Sequence, residues 1–216
     1  MTVPFPKLRR RLVAILRGVK PDEALAIGAA VFEAGIHAIE VPLNSPDPFR
    51  SIELLARTLP KPALVGAGTV LTAAQVDDLH NAGGRLLVSP NIDRAVMERA
   101  ARHGMVTMPG VFTPTEALLA LSLGASALKF FPASALGAKG ISAIKAVLPG
   151  ETIVGAVGGV SEKDFADYAR VGVSTFGLGS SLYTPGLSAE AVAGRAVAAA
   201  TEWDAVFAKD QGLGPS

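Results

Sequence analysis

The chain has 216 residues, a formal net charge of +1 and a composition that is half hydrophobic, enough for one domain with a sizeable core. Acids and bases are mixed along it, which argues against nucleic acid or a membrane surface as a partner. There is no cysteine, so disulfides and thiolate metal ligands are excluded, and the composition fits a cytoplasmic protein.

In chain order, Met1 to Pro6 carries two prolines and no long apolar stretch, unlike a signal peptide. The basic run Lys7 to Arg11 reads as a solvated N-terminal segment. Eight short apolar runs follow, at residues 12–17, 38–43, 64–69, 86–90, 106–110, 127–132, 153–159 and 175–179. They are rich in Val, Ile and Leu and alternate poorly with polar residues, as strands of a parallel sheet buried on both faces do. Gly35, Gly83, Gly104, Gly124, Gly150 and Gly172 each close a helical run shortly before the next strand. Thr72 with Gln75, Thr113 with Glu116, and Ser161 with Asp164 are spaced as capping boxes. Residues 171–189 carry no charge but contain four glycines and a proline, which rules out a membrane span. Ala189, Val192, Ala193, Ala196, Val197 and Ala200 form an apolar stripe on the last helix. Residues 1–208 are expected to form a single domain, and 209–216 a disordered tail.

Eight strands alternating with helices fit a closed (β/α)8 TIM barrel or a doubly wound sheet. The barrel, a closed parallel sheet, is favoured because no G-x-G-x-x-G nucleotide fingerprint opens the first crossover. In such a barrel the chemistry lies at the C-terminal ends of the strands. Among the residues capable of charge, only Arg17, Glu40 and Lys129 fall in strand runs. Lys129 sits within A-L-K-F-F-P. Burial there would lower its pKa and leave a neutral amine able to attack a carbonyl; the plainer alternatives are a lysine snorkelling to solvent or one paired with Glu40. Glu40 within I-E-V-P-L is either a general base or an ion-pair partner of Lys129 or Arg17. Gly158-Gly159 and Gly179-Ser180 follow strands seven and eight, where barrels often bind phosphate through backbone N–H groups and a helix N-terminus. Each pair alone could be an ordinary tight turn. His37, His80 and His103 lie in or just after helices and read as surface or capping residues. No cluster has metal-ligand spacing.

The ordered set I-L-R-G, I-E-V-P-L-N-S-P, V-G-A-G-T-V-L, L-K-F-F-P, A-V-G-G-V and G-L-G-S-S-L-Y resembles the bacterial 2-keto-3-deoxy-6-phosphogluconate/6-phosphogalactonate aldolases, from about residue 12 to 207. The resemblance implies a class I, Schiff-base aldolase that needs no metal or other cofactor, acts on a phosphorylated keto-deoxy sugar acid with pyruvate as a product, and assembles as a homotrimer. By motif, Lys129 is then the Schiff-base lysine and Glu40 the acid/base. Arg17 and Thr69 hold the pyruvyl carboxylate, Phe131 walls the pyruvyl pocket, and Gly158, Gly159, Gly179 and Ser180 hold the phosphate. Gluconate-type members usually read E-V-T-L-R-T, where this chain has Asn44 in the arginine's place and Arg17 as the natural substitute. They also usually carry P-T-G-G, where this chain has A-V-G-G and Val157 in place of a hydroxyl. Both departures point to the galactonate epimer, with the gluconate epimer as the alternative. A phosphosugar isomerase or epimerase, or a phosphometabolite-binding barrel, would leave Lys129 without a purpose.

Overall fold

A computed structural model describes residues 3–207; the expectation for the 209–216 tail lies outside them. The elements run β1 (Leu12–Ile15), α1 (Pro21–Glu33), β2 (Ala38–Pro42), α2 (Pro48–Thr58), β3 (Leu64–Gly68), α3 (Ala73–Asn81), β4 (Leu86–Val88), α4 (Arg94–Arg102), β5 (Val106–Met108), β6 (Gly110–Val111), α5 (Pro114–Ser122), β7 (Leu128–Phe130), α6 (Ala133–Lys145), β8 (Val154–Val157), a 3-10 turn (Glu162–Asp164) leading into α7 (Phe165–Ala169), β9 (Thr175–Leu178) and α8 (Ala189–Phe207).

All strand pairs are parallel, in the order β5-β4-β3-β2-β1-β9-β8-β7-β6. The two ends of that order are separated in the chain by Pro109 alone. β5 and β6 are therefore halves of one stave, and the sheet closes on itself as a (β/α)8 barrel. Eight strands were expected and nine segments are found among the described residues, because a proline has no N–H to give to the ladder. Its carbonyl still accepts from the Lys129 N–H at 3.0 Å, so closure holds across the break.

The three capping boxes form as the spacing predicts. Thr72 and Gln75, and Thr113 and Glu116, exchange both bonds, and Asp164 accepts from the Ser161 N–H and hydroxyl. Five of the six boundary glycines have positive φ; Gly150 does not, because α6 has already ended at Ala146 and a further turn intervenes. His103 caps α4 and His80 lies in the last turn of α3.

Alternation along each strand sorts the apolar residues into two cores. Leu12, Ala14 and Leu16 pack outward against the helices, whereas Val13 and Ile15 join Ala38, Leu86, Val88, Val106, Met108, Ala127 and Val157 inside the barrel. Phe5 packs on this inner cluster. Among the described residues, no helix is long and apolar enough to cross a membrane.

Candidate active site

Among the described residues, three charged side chains are buried: Arg10, Glu40 and Lys129. Arg10 is fully compensated, donating to both carboxylate oxygens of Asp204, at 2.7 and 2.5 Å. Lys129 and Glu40 have no such partner. Lys129 points inward from β7 at 5% exposure, its ammonium 4.7 Å from the centre of the Phe131 ring. Glu40, on β2, is 1% exposed, and its Oε2 has no hydrogen-bond partner. An ionised group in such surroundings is costly, and both respond by favouring the neutral form. Burial lowers the Lys129 pKa, against the attraction of Glu40 and helped by the Arg17 charge. Burial raises Glu40 to about 7, against the attraction of Lys129 and Arg17. A pair of opposite pKa shifts inside one barrel suits proton transfer around neutrality better than it suits a structural ion pair.

Lys129 opens on a cavity of about 340 Å³ at the C-terminal mouth of the barrel, lined also by Ile15, Arg17, Phe131, Val157, Gly158, Gly159, Val160, Gly177, Gly179 and Ser180. It gathers eight of the eleven residues singled out from the sequence; Glu40, Asn44 and Thr69 are not in its lining. Two larger depressions lie elsewhere, one beside Phe5 and one between α1 and α8. Neither holds a buried charge, so chemistry rather than volume locates the site.

Arg17 is exposed at the end of β1 and donates to Asn44 Oδ1 at 2.5 Å. Asn44 is outside the cavity lining and is joined to it by this hydrogen bond to Arg17. The Arg17 loop is fastened on both sides. The Gly18 N–H donates to Ser45 Oγ at 2.9 Å, and Glu23, in the first turn of the following helix, accepts from the buried Tyr183 hydroxyl at 2.9 Å. Thr69, also outside the lining, follows β3 with φ 57°. A β-branched residue takes that left-handed conformation at a cost of about 1–3 kcal/mol, a strain typical of functional sites.

The two glycine pairs differ in construction. Gly158 and Gly159 are both left-handed, with φ 90° and 69°, and α6 begins against them, the Ser134 N–H donating to the Gly158 carbonyl at 3.1 Å. Gly179 opens a turn whose Leu182 and Tyr183 N–H groups return to its carbonyl at 2.9 Å. A Cβ on Gly159 would meet Ser134 Oγ at 2.5 Å, whereas one on Gly179 would meet nothing within 4 Å. Gly179 therefore faces open cavity.

Ile15, Val160 and Gly177 also line the cavity and were not singled out from the sequence. The period-two rule could have found two of them, since Ile15 lies two residues before Arg17 and Gly177 two before Gly179.

A closed (β/α)8 barrel with an uncompensated lysine and glutamate at its C-terminal mouth has the construction of a barrel enzyme. The chain belongs to the KDPG and KHG aldolase family, whose model matches residues 7–195; it is an aldolase, a carbon–carbon lyase. It is 60% identical over 97% of its length, and 99% of the relative's, to the Rhizobium meliloti (strain 1021) "Probable 2-dehydro-3-deoxy-6-phosphogalactonate aldolase". It is 50% identical to the Escherichia coli (strain K12) 2-dehydro-3-deoxy-6-phosphogalactonate aldolase, over 87% and 91% of the two chains. A solved structure described as native KDPGal superposes with TM-score 0.91 at 46% identity, over 96% of this chain and all of that one. A KDPG aldolase from Legionella pneumophila, with pyruvate captured as a covalent carbinolamine intermediate, superposes at 0.76 with 30% identity, over 91% and 94%.

Proposed function

We propose that the protein is a class I aldolase that cleaves 2-dehydro-3-deoxy-6-phospho-D-galactonate to pyruvate and D-glyceraldehyde 3-phosphate. The observation that carries this is Lys129, desolvated, uncompensated and open to the cavity. Lys129 Nζ attacks the C2 carbonyl to give a carbinolamine, and loss of water leaves an iminium. Glu40, through a water, takes the proton of the C4 hydroxyl. The C3–C4 bond breaks, its electrons pass into the iminium to form an enamine, and the aldehyde leaves. Protonation of the enamine at C3 and hydrolysis release pyruvate and restore the amine. A carboxyl near 7 is populated in both forms at neutral pH, so it can both take and return a proton. The carbinolamine of the Legionella relative supports the same covalent route here. Arg17, held by Asn44, is assigned to the carboxylate with Thr69, Phe131 to the wall of the pyruvyl pocket, and Gly158, Gly159, Gly179 and Ser180 to the phosphate. The family supports a homotrimer, and the chemistry suits the cytoplasm.

Gly179→Val tests the phosphate assignment, because its side chain enters open cavity and strains no protein contact. Losing one charge-assisted hydrogen bond of about 1.5–3 kcal/mol lowers kcat/KM about 10- to 150-fold. The loss is expected on the phosphorylated substrate and not on its unphosphorylated analogue; equal losses on both would remove the phosphate from this end.

The two substrate epimers differ at C4. Val157, buried at 4% exposure, lines the cavity, and threonine has nearly its shape. Val157→Thr is expected to shift the epimer ratio of kcat/KM toward the gluconate compound about 2- to 13-fold, the worth of one hydrogen bond. Arg17→Ala is expected to weaken both epimers alike, since both carry the carboxylate. An unchanged ratio in Val157→Thr, or a wild type that prefers the gluconate epimer, would move the specificity away from Val157.

A further inference from the structure

Glycines crowd the barrel interior around Lys129 and Glu40. In register, Gly110 and Gly155 flank Lys129, and Gly66 stands opposite Glu40. The fold accounts for these three. A Cβ on Gly66 would come 1.7 Å from the Leu86 carbonyl oxygen, and one on Gly110 2.2 Å from that of Pro90. Neither backbone can yield. A Cβ on Gly155 would meet the Met108 methyl group at 2.2 Å, a demand of core packing.

Gly68 is different. The three atoms nearest to a Cβ at this position all belong to Glu40: Oε2 at 1.8 Å, Cδ at 2.4 Å and Oε1 at 2.5 Å. Its φ is not positive, so the backbone itself would accept an alanine. Strand pairing sets Glu40 opposite Gly66 and Pro42 opposite Gly68. The carboxylate has thus leaned two residues along β3 toward the mouth of the barrel, into the volume that a side chain at residue 68 would fill.

We propose that Gly68 is a positioning residue: its missing side chain is the seat of the Glu40 carboxylate and holds that group, without a hydrogen-bond donor on Oε2, beside the reacting carbons. The proposal rests on Glu40 being the acid/base. A seat made of bare backbone has two effects. It lets the carboxylate lean along β3 toward the mouth of the barrel, and it keeps both water and donor side chains off Oε2. Desolvation without pairing is what raises a carboxyl toward neutrality. A methyl group at residue 68 would push the carboxylate into the cavity, where solvent reaches it.

The test is a double-variant cycle of Gly68→Ala and Glu40→Ala, read by thermal unfolding and by cleavage kinetics. Gly68→Ala is expected to lower Tm in the wild-type background and to leave Tm unchanged in the Glu40→Ala background, where the obstructing atoms are gone. It is also expected to lower kcat about 10- to 100-fold, part of the 10²–10⁴ that acid–base catalysis contributes, with a much smaller change in KM. The acid limb of the kcat profile should move to lower pH. If Gly68→Ala alone yields no folded protein, recovery of folded protein in the double variant is the same result in stronger form. Equal Tm losses in both backgrounds, or a double variant that also fails to fold, would overturn the seat. An unchanged kcat and pH limb in a folded Gly68→Ala protein would overturn its positioning role. Failure of the acid–base reading is separable: it would appear as full cleavage activity in Glu40→Ala, while the Tm cycle reads the seat regardless of activity.

Discussion

Lys129→Met is expected to lower kcat/KM for aldol cleavage by at least about 10⁴-fold, because no step of covalent catalysis survives loss of the nucleophile. Methionine keeps much of the lysine stem's volume while removing a buried amine that has no carboxylate in contact. The fold should therefore be retained, with a Tm no lower than the wild type's. The complementary experiment is reduction with borohydride in the presence of pyruvate. It should inactivate the wild type irreversibly and add one reduced pyruvyl group to the peptide containing Lys129. An adduct on Lys20, Lys145 or any other lysine would sink the assignment, as would near-normal turnover by Lys129→Met. The low pKa expected of a desolvated amine adds a finer mark: trapping should persist to a lower pH than a solvent lysine allows, since the neutral amine is the attacking species.

Lys129 was legible in the sequence because an ammonium inside A-L-K-F-F-P contradicts its apolar surroundings, and such local conflicts mark functional sites. The barrel was legible for a related reason: short strands buried on both faces, closed at each crossover by caps and glycines, leave few other architectures. The break of the fifth stave at Pro109 was visible as a proline, but not as a break, since a proline ends pairing only on the side where its N–H is needed. Features that depend on where a side chain goes after leaving its strand were not legible. Asn44 occupies a ligand's place in the motif. In the fold its amide oxygen accepts from Arg17, a contact between residues 27 apart that no local pattern encodes. The two glycine pairs looked equivalent, yet Gly159 turns its missing Cβ toward Ser134 and Gly179 turns its own into the cavity. Gly68 gave no signal either, because its meaning lies in the Glu40 carboxylate from the neighbouring strand.

Glu40→Gln is expected to separate activity from stability. Glutamine keeps the shape but cannot accept a proton from the C4 hydroxyl, so cleavage should fall about 10²- to 10⁴-fold. Stability should move the other way, and only over a defined range of pH. The Glu40 carboxyl is raised from 4.5 to about 7 in the folded protein, so between those values the folded state binds more protons than the unfolded chain. Stability then falls as pH rises through that window. The contribution of the protonated carboxyl is fully present below about 4.5 and is lost by about 7, because above it folding must bury an unpaired carboxylate. Glutamine never ionises and escapes this penalty. The Tm difference, Glu40→Gln minus wild type, should thus grow from pH 4.5 to 7, at the same time as the variant forfeits its activity. A difference independent of pH across the window, or one that shrinks, would mean that Glu40 is ionised and well solvated in the fold. The burial invoked for its acid–base role would then fail with it. A difference of the expected sign together with undiminished cleavage would instead keep the buried carboxyl and remove it from the mechanism.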